Sequence, residues 1–471
     1  MKTYQDLLNA LGSEQSITDF ILTAIMEHKG SEAYRWAQIG EEYNRQENTT
    51  IMMYRKLLYK MSGEAIPDTF TANHKLPSNF YNRFNMQENQ YLLGNGANFN
   101  KATTKDKLGT RKKKFDTQLQ KAGRKALTQG QAFGFFNLDH IEVFALLEFV
   151  PLYDEDDGSL KAGIRFWQIA YDKPLRATLY EMDGYTEYIK RNNESKFETY
   201  KKKSTYKINT KTTPAEGTEV TGGENYPGFP VVPLWGNQDH VCKIKAWQAK
   251  IDCYDLIESG FANDVDDASL IYWTIQNAGG MDEIDLAQFI QRMKTVHAAT
   301  VDGEGAKAEA HTMDVPVQAR ETYLSRLEKD LCKDAMALDT EAISNGNVTA
   351  TAIRASYEPL NEKTDDFEYC VIEFVNAILE LAGIDDEVSF KRSTIVNQTE
   401  ETNMILAAAQ YLDDETVLKH LPFLSVDEVS DILKNRDQEE SDRYADREEE
   451  DDVDEGSGSD EDGQETEEDG E

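Results

Sequence analysis

The chain of 471 residues is poor in the residue types that most often announce a chemistry, with 4 cysteines, 7 histidines and 11 prolines. Cys242, Cys253, Cys332 and Cys370 make no C-x-x-C pair and fall in helix-like segments. Buried free thiols are therefore expected rather than a disulfide framework or a zinc site. The histidines are scattered without an H-E-x-x-H, and no G-x-S-x-G marks a nucleophile elbow. No stretch approaches about 18 uninterrupted apolar residues, so no helical membrane span is expected. "MKTYQDLLNALGSEQ" lacks the apolar run of a signal peptide, and a cytoplasmic place of synthesis and use is expected. Basic residues are also scarce: 50 Lys and Arg face 87 Asp and Glu, for a net charge of −37. Such a surface repels free nucleic acid over most of its extent.

Much of that charge is local. Residues 446–471 hold 16 acidic residues and one arginine, a net of −15, which leaves −37 + 15 = −22 on the first 445. The tail is too charged and too poor in apolar residues to fold. The rest is long enough for two to four domains.

Residues 1 to 135 read mostly as helix. "SITDFILTAIMEH" has Ser16 as its expected N-cap, and "FDTQLQKAGRKALTQG" is amphipathic and stops at Gly130. The period then changes to that of strands. "EVFALLEFVPLY", "DEDDGS" and "LKAGIRFWQIAY" read as strand, acidic turn, strand, and Asp183-Gly184 marks a second hairpin. "KFETYKKKSTYKI" adds a strand, while "TKTTPAEGTEVTGGENYPGFP" has the composition of a loop.

Two helical stripes follow. Trp247, Ile251, Tyr254, Ile257, Phe261 and Val265 step by three or four, with Asp252, Asp255, Asp266 and Asp267 mostly off the stripe. After Pro316, Leu324, Leu327, Leu331, Ala335 and Leu338 make the second. Between them "SLIYWTI" and "VHAATVD" read as short strands around the helix "DLAQFIQRMK". A polar loop with Asn345, Gly346, Asn347, Thr349 and Thr351 precedes a third long helix that ends at Gly383, and Pro359 is expected to kink it. "EVSFKRS" reads as a strand, and three short helical segments run to about residue 444.

No motif carries catalysis. "LGNGANF" and "GQAFGFF" lack the lysine and hydroxyl of a phosphate-binding loop. "NDVDDA" and "DEDDGS" miss the spacing of a calcium loop and read as a solvated helix face and a turn. The one basic cluster, Arg111, Lys112, Lys113 and Lys114, is either a solvated surface or a contact for phosphate or an acidic partner.

The order of long helix, small mixed module, long helix, polar loop and kinked long helix resembles the portal (head-to-tail connector) proteins of tailed bacteriophages, siphophage type. "KIKAWQAKIDCYDLIESGFANDVDDASLIYW" resembles their first stem helix through Asp255, Ser259, Asn263, Asp264 and Asp267. "NGNVTATAIRASYEPLNEKTDDFE" resembles their loop and long helix, with Gly346, Asn347, Thr349 and Ala352 matching in part. "VPLYDEDDGSLKAGIRFWQ" and "VSFKRSTIVNQTEETNMI" resemble wing segments.

The resemblance implies a mainly helical α+β portal fold. Residues 1–239 would be the wing, helical first and then antiparallel hairpins, and 240–270 the first stem helix. The clip would be 271–316, the second stem helix 317–338 and the tunnel loop 339–352. The kinked helix with a wing strand would be 353–396, the crown 397–444 and the disordered acidic tail 445–471.

It further implies a homo-oligomeric ring, usually of twelve, at one capsid vertex of the virion, with double-stranded DNA passing through. Its partners would be the terminase large subunit, a head-tail adaptor, and the major capsid and scaffolding proteins. No cofactor, metal or catalytic residue is implied. Asp252, Asp255, Asp266 and Asp267 would line the bore with negative charge. Trp247, Ile251, Tyr254, Ile257, Phe261, Leu324, Leu327 and Leu331 would pack the stem against neighbouring copies. Asn345, Gly346, Asn347, Thr349 and Thr351 would touch DNA. Two competing readings are another capsid or scaffolding protein, which would build shells, and a metal-dependent nucleic-acid enzyme.

Overall fold

The structure, a computed structural model, describes residues 2–59, 62–68, 71–101, 103–213, 217–268, 272–276, 282–296, 307–311, 315–338, 350–393, 402, 405–421, 429, 432–436 and 438. It divides into one unit over residues 1–393 and a second over 394–471.

The N-terminal helices are set by their caps. α1 (Tyr4–Ala10), α2 (Glu14–Lys29) and α3 (Glu32–Asn44) each follow a hydroxyl residue, Thr3, Ser13 and Ser31. Ser13 Oγ accepts the Ser16 N–H at 3.1 Å, so α2 opens three residues before the cap expected at Ser16, which sits inside the first turn. After α4 (Thr49–Met53) the strands β1 (Leu57–Tyr59) and β2 (Ala65–Pro67) pair as a separate hairpin. Then come α5 (Phe80–Leu93), β3 (Ala97–Phe99), α6 (Thr104–Leu108) and α7 (Phe115–Gln129). Gly130 closes α7 at φ +86°, a left-handed conformation that glycine adopts without strain.

The sheets are antiparallel. β4 (Gln131–Asn137) lies between β5 (His140–Ala145) and β13 (Val231–Trp235). β6 (Phe149–Tyr153), β7 (Leu160–Trp167), β8 (Leu175–Glu181), β9 (Gly184–Lys190) and β10 (Glu198–Ser204) form a meander of five. The acidic turn and the Asp183-Gly184 turn sit between the strands predicted for them. β11 (Lys207–Thr213) pairs with β12 (Gly217–Glu224), so the segment read as a loop contains a hairpin. Its threonines and Val220 are β-formers, which outweigh the glycines that suggested a loop.

The C-terminal part of the first unit is α8 (Ile244–Ala268), β14 (Tyr272–Gln276), α9 (Glu283–Val296), β15 (Lys307–His311), α10 (Val317–Asp334), α11 (Ala350–Ala382) and β16 (Val388–Phe390). β14 pairs with β15, which lies beyond the strand expected at 296–302; residues 297–302 lie outside the described residues. β16 pairs with β3. The second unit includes α12 (Asp414–His420), capped by Asp413, whose carboxylate accepts the Thr416 N–H at 3.0 Å. The crown and tail expectations fall largely outside the described residues, and residues 439–471 do so entirely.

Four apolar clusters lie among the described residues of the first unit, the smallest of them Tyr91, Leu338, Tyr357 and Leu360. The largest joins α5, α7 and α11 to β4, β5 and β13 through Phe115, Phe133, Phe144, Phe367 and Phe374. A second seats α1 and α2 on the five-stranded sheet through Leu7, Ile21, Val150, Ile164 and Leu179. The third is rich in aromatic rings and joins α3 and α5 to α8 and α10. All four cysteines are free; Cys242 lies just ahead of α8 rather than within a helix.

Candidate functional site

α8 and α10 run antiparallel. Lys250 near the start of α8 pairs with Asp334 at the end of α10, and Asp264 near the end of α8 pairs with Arg320 near the start of α10. The Arg320 guanidinium also lies 5.9 Å from the Phe261 ring centroid. Trp247, Ile251 and Leu331 are buried with Tyr43, Phe80, Tyr81 and Phe84, and Tyr254 packs against them. Trp247 meets Phe84 edge-on at 5.7 Å, and Tyr254 meets Phe80 edge-on at 4.9 Å. Leu327 is buried, and Ile257, Phe261 and Leu324 are half-buried. Trp247, Ile251 and Leu331 are thus buried inside the chain, against α3 and α5, and Tyr254 is half-buried beside them. The sequence period marks a stripe that needs covering, but it does not say which chain covers it.

Next to that stripe α8 carries a buried polar ladder. Asp255, Ser259 and Asn263 are 0 %, 1 % and 8 % exposed. Asp255 accepts the backbone N–H of Ser78 at 2.9 Å, Ser259 that of Leu76 at 3.0 Å, and Asn263 that of His74 at 2.6 Å. Four helical residues advance about 6.0 Å and two extended residues about 6.6 Å. A helix row of period four therefore meets every second amide of an extended strap almost in register. Asn48 closes the base of this excursion: its side-chain amide donates to Asp255 at 2.5 Å and to the Ser78 carbonyl at 3.1 Å.

These bonds take Asp255 out of the expected acidic lining. Asp255 is fully buried and cannot face a bore; burial pushes its carboxyl pKa above the usual range against the pull of the Asn48 and Ser78 donors. Asp252 accepts hydrogen bonds from the hydroxyls of Tyr43 and, at 2.9 Å, Thr50. Burial, with Asp252 beside it, pushes the Tyr43 hydroxyl up to about 12. Asp266 is exposed, 3.4 Å from His74 Nε2. The Asp267 side chain lies outside the described residues.

At the head of the pair sits an ionic triad with no local signature in the sequence. Glu88 of α5, 0 % exposed, accepts from Lys243 Nζ at 2.5 Å and lies 2.9 Å from Lys363 Nζ of α11. Lys363 is 8 % exposed and stands 5.3 Å from the Trp247 ring centroid. Burial pulls its pKa down to about 8, opposed by Glu88 and reinforced by Lys243. The triad ties α5, the entrance to α8, and α11 at one point.

α11 continues through Pro359, which withholds the hydrogen bond that the Ala355 carbonyl would otherwise receive. Tyr91 supports this stretch: its ring stacks on Tyr357 at 5.7 Å and its hydroxyl donates to Asn361 at 2.6 Å. Arg392 reaches back to Asn361, Asp365 and Glu368. Asn345, Gly346, Asn347 and Thr349 lie outside the described residues; Thr351 is in the first turn of α11, its side chain likewise outside. In the basic cluster Lys113 is engaged, 2.8 Å from Glu142 and 3.1 Å from His140, while Arg111, Lys112 and Lys114 are exposed. Among the described residues no group of three or more His, Cys, Asp or Glu side chains is placed to hold a metal ion.

The sequence profile described as "Phage portal protein, SPP1 Gp6-like" matches residues 36–452. The chain belongs to this portal family. It is 25 % identical over 225 residues to the portal protein of Clostridium phage phiCD119, covering 46 % of this chain and 49 % of that one. It is 22 % identical over 340 residues to the portal protein of Bacillus phage SPP1, covering 69 % and 65 %. The chain thus spans from half to just under two thirds of these curated relatives. Among solved structures it is similar to a chain from the virion of a native gene transfer agent particle, with TM-score 0.45 and 11 % identity. It is also similar to one from the neck of that particle computed with C12 symmetry, with TM-score 0.41 and 12 % identity. Each match covers 74 % of this chain and 90 % of the other.

In this portal-family chain the Asp255, Ser259, Asn263 spacing that carried the resemblance is the acceptor row for the 74–78 strap. The period-four spacing of Asp255, Ser259 and Asn263 was legible in the sequence, but their burial was not. Their partners, Asn48 and the Ser78, Leu76 and His74 amides, were not either, because main-chain donors leave no trace in residue type.

Proposed function

We propose that copies of this chain close into a ring at one capsid vertex and conduct double-stranded DNA into and out of a phage head. Membership of the portal family over residues 36–452 carries this reading. Residues 1–239 would form the wing, α8 and α10 the stem, 271–316 the clip, and 397–444 the crown. The clasped antiparallel pair supports the stem assignment: α8 has 25 residues, a stiff rod about 37 Å long. Rotated copies of such a rod can stand side by side around an axis through a heterologous interface.

The 339–352 loop would face the bore, where Asn345, Gly346, Asn347, Thr349 and Thr351 can touch phosphates without holding them. With −22 outside the tail, the chain at large favours sliding, because a cationic wall would release counterions and grip the duplex. The role is structural, without catalytic residue or cofactor. Partners would be further copies, twelve in the family's usual ring, with the terminase large subunit, a head-tail adaptor, and capsid and scaffolding proteins. Arg111, Lys112 and Lys114 are the candidate surface for an acidic partner. Negative-stain images of the purified chain should show closed rings with a central hole. Shells, sheets or a lone globule at high concentration would overturn the reading.

The acidic tail would keep packaged DNA clear of the ring's inner mouth. A chain cut after Tyr444 should then package less DNA per particle, and unchanged packaging removes this role.

A further inference from the structure

Residues 101–125 hold 10 of the chain's 50 Lys and Arg against two aspartates, a net of +8 in a chain of −37. Five of these cations are used within the fold: Lys101 on the Asp385 carbonyl, Lys105 on Asp116, Lys113 on Glu142, Arg124 on Asn82 and Lys125 on Glu41. The other five, Lys107, Arg111, Lys112, Lys114 and Lys121, are exposed, and among the described residues none has a hydrogen bond or ion pair. The acids nearby are already engaged. Asp116 accepts from Lys105 Nζ at 2.9 Å and from the Ala97 N–H at 3.0 Å, Glu142 from Lys113 Nζ at 2.8 Å, and Asp139 holds His140 at 2.7 Å. Only Asp106 of this stretch is exposed and acidic.

Arg111 and Lys112 form the tip of a closed turn. The Thr110 N–H donates to the Lys113 carbonyl at 3.0 Å, and the Lys113 N–H donates to the Thr110 carbonyl and to Thr110 Oγ1, each at 3.1 Å. Leu108 and Phe115, 0 % and 2 % exposed, anchor the two sides in the largest apolar cluster. The placement does nothing for stability. Lys114 is the N-cap of α7 without a side-chain cap bond, and cations there lie at the positive end of the helix dipole. A departure from a local rule with no compensating contact marks a functional position.

We propose that this turn and the start of α7 contact the phosphodiester backbone of double-stranded DNA. The acidic partner of the surface is then the duplex itself; the inference takes the duplex from the conduit reading above and gives it a contact outside the 339–352 loop. The surroundings favour DNA over an acidic protein. No large apolar side chain is exposed between residues 103 and 121, whereas protein interfaces have an apolar centre depleted in lysine. Phosphates are met by Lys, Arg and hydroxyl side chains, as here. Lys114 and Lys121 stand two helical turns apart on one face, about 10.5 Å, so the cations follow a line rather than a point. With backbone charge as the only feature recognised, binding is independent of base sequence.

The test is fluorescence anisotropy of a short mixed-sequence duplex with the full chain, between about 50 and 200 mM sodium chloride. Arg111→Gln, Lys112→Gln, Lys114→Gln together should make the slope of log K against log salt shallower by about 2.7, or 0.9 for each lost phosphate contact, and weaken binding about a hundredfold at 100 mM, with circular dichroism unchanged. A charge-matched control, Lys201→Gln, Lys202→Gln, Lys203→Gln, removes lysines of β10, two of which pair with Glu187 and Glu181. It should keep the wild-type slope. Equal losses in the two triple variants would show attraction by diffuse charge and overturn the contact. So would a wild-type chain that leaves the duplex free at 50 mM salt, and polyglutamate bound where the duplex is not would assign the turn to an acidic protein. Closed rings in negative stain with no effect of the first triple variant overturn the contact and leave the conduit reading standing. A chain that binds the duplex through these residues but never closes into rings overturns the conduit reading and keeps the contact.

Discussion

Exchanging Glu88 for glutamine should lower the folding free energy at pH 7 by about 3–5 kcal/mol, the range for breaking a buried ion pair by removing one partner. Glu88 is the counter-ion of two lysines that solvent scarcely reaches, Lys243 at 2.5 Å and Lys363 at 2.9 Å. Without it both ammonium groups lie in low dielectric with no carboxylate, beside a ring cluster that cannot solvate them. Lys363→Met should behave differently. It removes the more deeply buried cation and leaves the Glu88–Lys243 pair, so its effect should stay within about 1 kcal/mol of wild type.

Acidity separates the two further. The folded chain releases the Lys363 proton near pH 8, the unfolded chain near 10.5. Between those values the unfolded chain binds more protons, so this lysine's contribution to stability rises with pH, by about 3 kcal/mol over the full window. Lys363→Met should lack that rise. The deficit of Glu88→Gln should shrink at pH 9.5, where Lys363 is already mostly neutral in the wild-type fold. Guanidinium unfolding of the three proteins at pH 7 and 9.5 reads all of this. A Glu88→Gln variant within 1 kcal/mol of wild type at pH 7 would sink the account of the triad.

The parts of the fold that were legible are those whose signal is local. The stripe of α8, the stop of α7 at Gly130 and the Asp183-Gly184 hairpin each depend on residues within a few positions of one another. What failed depended on distant partners or on competing local signals. The β11–β12 hairpin was hidden by glycine and proline in its composition. Asp255 was read as a solvent-facing carboxylate because its position on the helix wheel is off the apolar stripe; the strap that covers it arrives from about 180 residues earlier, as the Ser78 contact shows. Glu88, Lys243 and Lys363 are invisible one at a time, because a surface lysine and a buried one are the same letter. The family resemblance rested on order and spacing, which is why it survived errors in what the individual residues do.

The ladder on α8 gives the second large effect. Asp255→Ala should leave the Ser78 N–H and the Asn48 amide buried without their acceptor, which costs about 2–4 kcal/mol. Asp255→Asn should fall within about 1 kcal/mol, because the new amide oxygen can still accept from Ser78 while a buried charge is removed. Burial raises the Asp255 pKa above 3.8 in the folded chain, so the folded chain keeps the proton to higher pH than the unfolded one. Within that window stability falls as pH rises, and the penalty is complete above it. Asp255→Asn therefore compares better with wild type at pH 7 than at pH 3.5.

The rungs can also be read singly by amide hydrogen exchange. Asp255→Ala should speed exchange at Ser78, Ser259→Ala at Leu76, and Asn263→Ala at His74, each chiefly at its own rung. If the 74–78 strap were held by apolar packing alone, these amides would already exchange fast in wild type. If one cut released all three together, the strap would be a single cooperative latch fastened at Asp255, and the upper rungs would only guide it into register.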